Sequence, residues 1–340
     1  MLGFLSKKSK GASRKGQADL TGCFGKMPLH ADFIRHNVVS RESVALVNWL
    51  QEGVGEVQRR GKEEYKETLD NFGAISFVMI GSENDRTVVG TISPSRDKSG
   101  RKYPVATFST VAEPLFLTMP ATVPCVYDDF LKKAHGLAGG TRSELSLQDF
   151  CADVDRLART GDELSRRTLL EKEIGLIKTM TVGEFWAGSF PGRTRENREE
   201  VIFALYKALK KVIQRSSSRT SWGIRFPLPA SGDPSPTLLF WLQMVESILE
   251  ERMVRFNYFW NQASAEMEAS LVVFFRPVTV SCFSALISPG DDDGLILDLS
   301  KALGDPSVAR NVRDLQHMLD NDSTSMLDLL YNAGRGEMLQ

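Results

Sequence analysis

Apolar and polar positions in the first third of the chain follow two different periods. After Ser40, a typical helix N-cap, apolar residues recur at three- and four-residue spacing, which predicts an amphipathic helix and then a second, more charged one. The apolar positions are Val44, Val47, Leu50, Val54 and Val57. Segments 74–80, 87–93 and 103–110 are instead rich in β-branched and aromatic residues, as is the short segment 20–26. All four segments predict strands. Segments 74–80, 87–93 and 103–110, which follow one another along the chain, predict an antiparallel meander packed on the helices.

The remaining two thirds predict helices first and a mixture of strands and helices afterwards. Helical spacing covers 125–136, 147–160, 195–214 and 236–253, and further helices are expected after Asp305–Pro306 and over 323–334. Strands are expected over 221–229, 254–261 and 271–275, and the alternation in 254–261 predicts a half-buried strand.

Three prolines, Pro114, Pro120 and Pro124, mark a domain boundary near 120–125. The expected fold class is α+β with mixed α/β character. We expect a disordered basic tail over 1–19, a first domain with an antiparallel sheet and flanking helices over 20–122, a second α+β domain with a helical stretch over 123–303, and a helical tail over 304–340.

Composition narrows the functional classes. With 340 residues the chain fits about two domains, and 42 Lys+Arg against 43 Asp+Glu argues against nucleic-acid binding. Four scattered cysteines without a C-x-x-C pair fit neither a zinc site nor a dense disulfide framework, and they predict buried thiols in a reducing cytosol. We expect no metal or other cofactor. No apolar run approaches the roughly 20 residues of a membrane span. The basic opening lacks the order of a secretory signal, and a peripheral contact with an anionic membrane stays open as an alternative.

The segment GCFGKMPLHADFIR at 22–35 crowds glycine, proline, charged and aromatic residues together. Its spacing fits neither a Walker loop nor a dinucleotide-binding loop, and the chain has no G-x-S-x-G elbow. His30, Asp32 and His36 could hold a metal for a hydrolase, with Asp32 and His36 four residues apart on a helix. The simpler interpretation is that they are polar loop and helix-start residues. The acidic run 291–293 reads as a solvated turn.

A second polar segment, SPSRDKSGRKYP at 93–104, connects two predicted strands. Arg96, Lys98, Arg101 and Lys102 give this loop a basic character that suits an acidic or phosphorylated partner.

The two segments together resemble the TagF family of accessory proteins of bacterial type VI secretion. Residues 22–35 are similar to the family pattern G-[aromatic]-[aromatic]-G-K-[LM]-P-x-x-G-D-F-[VIL]-x-R, and residues 94–105 to P-S-x-D-x-x-G-R-x-[YF]-P-[LV]. The chain departs from the first pattern at Cys23 and at Ala31, where the family has a glycine. If that glycine is left-handed, Ala31 is strained by about 1–2 kcal/mol or the loop differs locally.

The resemblance implies a longin-like first domain and a cytoplasmic, non-catalytic protein that represses assembly of the secretion machine after translation. It implies type VI secretion components as partners, with a forkhead-associated scaffold protein among them, and no cofactor.

We expect the surface that binds the partner to consist of Lys26, Asp32, Arg35, Arg96 and Arg101. Asp32 is expected to accept backbone N–H groups or to pair with Arg35, and it could face Arg101 across the sheet edge. Phe24 and Phe33 are expected to enter the core from either side. The residues expected to shape the bend and the hairpin are Gly22, Gly25, Pro28, Phe33, Gly100 and Pro104.

Overall fold

A computed structural model describes most of the 340-residue chain. The described residues are 19–60, 67–70, 72–81, 86–139, 145–158, 164–194, 196–215, 220–249, 255–275, 277–288, 294–301 and 313–333. Nearly all of the predicted basic tail, the acidic run 291–293 and the predicted helix start at Asp305–Pro306 lie outside these residues.

Apart from residues 67–70, which are also helical, the described residues form nine strands and twelve α-helices. The strands are β1 (Leu20–Gly25), β2 (Ile34–His36), β3 (Ile75–Met79), β4 (Thr87–Ser93), β5 (Val105–Val111), β6 (Gly223–Pro227), β7 (Asn257–Asn261), β8 (Ser270–Phe274) and β9 (Ile296–Asp298). The helices are α1 (Arg41–Arg60), α2 (Leu115–Thr118), α3 (Val123–Val126), α4 (Asp128–Gly139), α5 (Leu147–Asp155), α6 (Arg166–Ile177), α7 (Val182–Ser189), α8 (Glu196–Arg215), α9 (Ser235–Leu249), α10 (Val280–Ile287), α11 (Arg313–Asp320) and α12 (Met326–Ala333). A 3-10 turn, Pro120–Thr122, precedes α3.

All nine strands belong to one sheet with the order β2-β1-β5-β4-β3-β7-β8-β6-β9. Neighbouring strands are antiparallel except β6 and β9, which are parallel. Strands β3, β4 and β5 are consecutive neighbours, so the predicted antiparallel meander is confirmed. The α+β fold class is confirmed as well.

Helices cover both faces of the sheet. Alternating residues of a strand point to opposite faces, and on β3 Phe77 joins the apolar cluster that includes α1 and α10, whereas Val78 joins the cluster that includes α8 and α9. In the first of these two helical layers, Trp49 joins α1 to α10. Its indole Nε1 donates to the Thr279 carbonyl at 2.9 Å, and its ring meets Phe283 edge-on at a centroid distance of 5.5 Å. The result is a sheet buried between two helical layers.

Full coverage of the sheet corrects one prediction. Residues 257–261 form β7, as predicted, but every residue of the strand is buried, so the expected half-buried strand is wrong. The polar side chains at its two ends are satisfied internally: the Asn257 side chain accepts from the Ile80 amide at 3.0 Å, and the Asn261 side-chain amide donates to the Glu268 carbonyl at 2.8 Å. The alternation of polar and apolar residues in β7 therefore does not indicate a face that is exposed to solvent.

Other elements were predicted in part. Helix α1 starts after Ser40 as expected, with the Ser43 amide donating to the Ser40 hydroxyl at 3.0 Å. Of the second, charged helix, residues 67–70 are described and are helical. Helices α6, α7 and α10 and the short edge strands β2 and β9 were not predicted. The cysteines are free as expected, with Cys23 and Cys282 buried and Cys125 and Cys151 partly buried.

The two predicted domains share this sheet. Strands β3 and β7, one from each predicted domain, are hydrogen-bonded neighbours with Phe77 paired to Phe259. The boundary at 122 stays a prediction about which parts fold independently.

Candidate functional site

Two loops leave the same end of the sheet. Gly25 at the end of β1 and Ser93 at the end of β4 are both paired with Val105 of β5. The β1–β2 loop (26–33) and the β4–β5 loop (94–104) therefore start side by side, and we call them the paired loops.

Gly25 permits this close approach. Its φ is 142°, a conformation that side chains rarely adopt, and a Cβ atom there would lie 2.2 Å from the Pro104 carbonyl oxygen. Any other residue would push the paired loops apart. Pro28 lies in the turn that follows, which the His30 amide closes by donating to the Met27 carbonyl at 3.1 Å.

Backbone hydrogen bonds close the second loop and join it to the first. The Asp97 amide donates to the Arg101 carbonyl at 3.0 Å, and the Gly100 amide donates to the Asp97 carbonyl at 2.9 Å. The Lys98 amide donates to the His30 carbonyl at 3.0 Å, which joins the paired loops directly. Gly100 has a φ of 85°, as the tight hairpin end requires.

Asp97 is the centre of the site. Its side chain is completely buried and accepts a hydrogen bond from Lys26 Nζ at 2.8 Å, which crosses from the first loop to the second. Arg101 donates through Nε at 2.6 Å and through its amide at 2.9 Å, and Ser99 donates through its hydroxyl at 2.6 Å and its amide at 2.9 Å. One carboxylate thus holds both loops in place.

These donors keep Asp97 charged. Burial alone would raise the pKa of the Asp97 carboxyl, but hydrogen bonds from Lys26, Ser99 and Arg101 hold that pKa well below its ordinary value. Asp97 is therefore a permanent anion at neutral pH, and the two cations beside it neutralise it.

Phe33 forms an exposed aromatic centre on top of this network. Its ring stacks on buried Phe24 with centroids 5.6 Å apart and meets Tyr103 edge-on at 4.8 Å. Lys26 Nζ lies 5.0 Å from the centroid of the same ring. Phe33 is 41% exposed, so the expectation that both phenylalanines enter the core is wrong. Phe24 fills the core position, and Phe33 packs over it from outside.

The predicted charged residues gather around Phe33. Asp32, Arg35, Arg96 and Arg101 are exposed. Asp32 Oδ1 accepts the Phe33 amide at 2.8 Å, which is the backbone role expected for it. Arg35 is paired with Phe24 across β1 and β2, so its side chain lies on the same face of the sheet as Phe24.

Two expectations about this group need correction. Arg101 does not face Asp32: its Nη2 donates to the Ala31 carbonyl at 2.5 Å while its Nε binds Asp97. Lys26 is not an exposed cation, because only 9% of its side chain is accessible and its ammonium group binds Asp97. Lys26 supports the surface from below, and its predicted contact with a partner would have to be indirect.

The other residues that were expected to shape the bend and the hairpin have ordinary backbone conformations. Gly22 lies in β1 opposite Phe108, and Pro104 directly precedes β5. Among the described residues other than glycine, Asn37 alone has a positive φ, of 53°, so Ala31 is not strained.

The predicted histidine and carboxylate arrangement does not form as expected. His36 lies on β2 rather than on a helix, and its Nε2 is 2.8 Å from Asp155 Oδ1 on α5. His30 is in the loop, with its carbonyl bound by the Lys98 amide. Within the described part of the chain, no three His, Cys, Asp or Glu side chains are placed to hold one metal ion.

Sequence reasoning missed Asp97, Ser99 and Tyr103. The spacing D-x-S-x-R at 97–101 was the available signal, because an aspartate can accept amide groups two and four residues further on. Burial of Asp97 and the contact of Tyr103 with Phe33 depend on the β1–β2 loop, which lies far away in the sequence, so local spacing does not show them.

None of the described helices combines the length and the apolar character that crossing a membrane requires.

Comparison with known proteins identifies the region that holds the paired loops. Residues 22–157 match the family model described as the TagF N-terminal domain, type VI secretion system-associated. The match includes α5, which packs on β1 through Cys23, Phe150 and Val154. No curated protein sequence matches the chain. Among solved structures, a crystal structure of PA0076 from Pseudomonas aeruginosa PAO1 is similar, at 11% identity and a TM-score of 0.44, over 79% of this chain and 94% of that one.

Proposed function

We propose that this chain, whose residues 22–157 match the TagF N-terminal domain model, represses assembly of the type VI secretion machine by binding one of its components. The proposed regulator is non-catalytic, acts after translation and works in the cytoplasm. Its proposed partner is a forkhead-associated scaffold protein.

One observation carries the proposal: the paired loops form a rigid, exposed surface inside the matched domain. Lys26 and Arg101 bind the buried Asp97 from two sides, and Phe33 stays 41% exposed above them. A surface that keeps its shape before binding loses little conformational entropy on binding.

The chemistry of Asp97 suits an anchor better than an acid or base. A general base needs a pKa near the working pH and an accessible oxygen. Asp97 has a depressed pKa, a fully buried side chain and oxygen atoms that already accept several hydrogen bonds. These properties support recognition as the role of the site.

Co-purification tests the proposal. We expect the tagged full-length chain, purified from its native cells, to enrich type VI secretion components with the forkhead-associated scaffold among them. Overproduction of the chain is expected to reduce secretion without reducing the amounts of the machine's subunits, because repression acts after translation.

Two results would reject this function. One is that no type VI component is enriched over a control that carries the tag alone. The other is that the purified chain turns over a small molecule and that replacing His30 or His36 abolishes the turnover.

A further inference from the structure

We propose that the paired loops bind a short acidic segment of the partner protein, with an apolar side chain of that segment packed against Phe33. This inference rests on the proposed function and specifies the chemistry of the contact at the same surface.

Charge supports an acidic ligand. The exposed charged side chains of this surface are the cations Arg35, Arg96, Lys98 and Arg101 and the anion Asp32. The one buried carboxylate, Asp97, is already neutralised by Lys26 and Arg101. The surface is thus locally cationic on a chain whose formal net charge is −1, and it attracts acidic groups against a near-neutral background.

The exposed ring of Phe33 is the reason to expect an apolar side chain at the centre of the same ligand. Its ring is held by Phe24, Tyr103 and Lys26, so the exposed part does not need to be ordered on binding. An exposed aromatic ring with arginines around it is the composition of a protein-binding hot spot.

A peptide fits this surface better than the other anionic polymers. Base stacking needs a free ring face, and Phe24 and the Lys26 ammonium group already lie over the Phe33 ring. The exposed Asp32 carboxylate can accept an N–H group from a peptide backbone, whereas it repels a phosphate backbone. One ring exposes little apolar area for insertion into a membrane.

Nuclear magnetic resonance titration of the isotope-labelled full-length chain tests the inference. The probes are the capped peptide Glu-Glu-Leu-Glu-Glu, its glutamine analogue Gln-Gln-Leu-Gln-Gln, and vesicles of phosphatidylglycerol and phosphatidylcholine. At about 50 mM salt we expect the acidic peptide to bind at least about fivefold more tightly than the glutamine analogue, and to lose that advantage at about 500 mM salt.

Variants locate the binding. We expect Arg101→Ala and Phe33→Ser each to weaken the acidic peptide at least about threefold. Arg167→Ala is the matched control, because Arg167 is an 88% exposed arginine on α6 and belongs to neither of the paired loops. We expect this variant to bind the peptide as the wild type does.

Three outcomes would overturn the inference: equal binding of the two peptides, binding of neither peptide, or binding of the vesicles in place of the peptides. A chain that co-purifies with type VI components but gives one of these outcomes keeps its proposed function and loses this ligand. A chain that prefers the acidic peptide but enriches no type VI component keeps the ligand and loses the proposed function.

Discussion

Carboxylates in the interior of two regions of the molecule, buried or partly buried, have opposite surroundings. At the paired loops, Asp97 binds Lys26 and Arg101, and its pKa lies well below the ordinary value. Where α9 packs on α6 and on the 3-10 turn, Glu173 accepts from the Gln243 side-chain amide at 2.7 Å and Glu246 accepts from the Ala121 backbone amide at 2.9 Å. Both donors are neutral.

The pKa values follow from this difference. Burial, together with the smaller effect of nearby Glu173, raises the pKa of Glu246 to about 8 against the opposing hydrogen bond from the Ala121 amide. Burial raises the pKa of Glu173 to about 7, with Gln243 opposing. A buried carboxylate stays charged where cations accompany it, as in the site, and tends to take up a proton where they do not, as between the helices.

The largest expected effect comes from breaking the charged pair. Lys26→Met leaves Asp97 buried without its cation from the first loop, and we expect the free energy of unfolding to fall by about 3–4 kcal/mol. Chemical denaturation at pH 7 measures this change. Lys98→Met is the control, since Lys98 is an exposed cation in the second loop and its loss should cost less than about 0.5 kcal/mol. Equal losses in the two variants would show that the Lys26–Asp97 pair does not hold the loops.

The second effect is a pH dependence from the helix region. The raised pKa of Glu246 means that its contribution to stability is complete below about pH 4.5, the unfolded value, and is lost as the pH rises through about 8. Glu246→Gln keeps an acceptor for the Ala121 amide but cannot ionise. We expect the wild type to lose about 3 kcal/mol of stability relative to this variant as the pH rises from 5 to about 7.5.

Denaturation curves at several pH values check this prediction. Asp97→Asn serves as the contrasting variant, because the depressed pKa of Asp97 gives a contribution that is present above the ordinary aspartate range and is lost only as the pH falls below about 4. If the stabilities of Glu246→Gln and the wild type change in parallel between pH 5 and about pH 7.5, the Glu246 carboxyl is not protonated as inferred.

A smaller effect is expected from the aromatic centre. Phe33→Leu keeps an apolar side chain but removes the stacking on Phe24, the edge contact with Tyr103 and the cation–π contact with Lys26. Such contacts contribute about 1 kcal/mol in total, which thermal denaturation can resolve. A loss above about 3 kcal/mol would instead indicate that Phe33 is part of the core.

The smallest effect is expected from Arg101. Its side chain is 61% exposed, so Arg101→Ala should cost only about 0.5–1 kcal/mol even though it removes a hydrogen bond to Asp97. Denaturation at two salt concentrations measures it, and the cost should shrink at the higher one. A cost as large as that of Lys26→Met would make Arg101 a structural residue and remove it as a suitable binding probe.

Sequence alone predicted the parts of the fold that depend on local pattern. The helix after Ser40 and the meander follow from apolar spacing and from β-branched residues, and both are present. The short strands β2 and β9 escaped prediction because three residues carry no period. The burial of all of β7 depends on helices far away in the chain.

The site was predicted in the same uneven way. The two segments were expected to work together, and the Lys98 amide does join them through the His30 carbonyl. The exposure of Phe33 and the central place of Asp97 were not predicted, because both depend on which side chain of one loop reaches the other. Residue type along the chain showed the charges of the site but not how they are paired.

Calorimetric titration of the purified forkhead-associated scaffold with the full-length chain tests the central claim, that the braced paired loops are the docking surface. We predict that Arg35→Ala combined with Arg101→Ala weakens this binding at least about tenfold, while Arg166→Ala combined with Arg167→Ala on α6 leaves it unchanged. Wild-type affinity in the first double variant, with its fold intact, would contradict the claim.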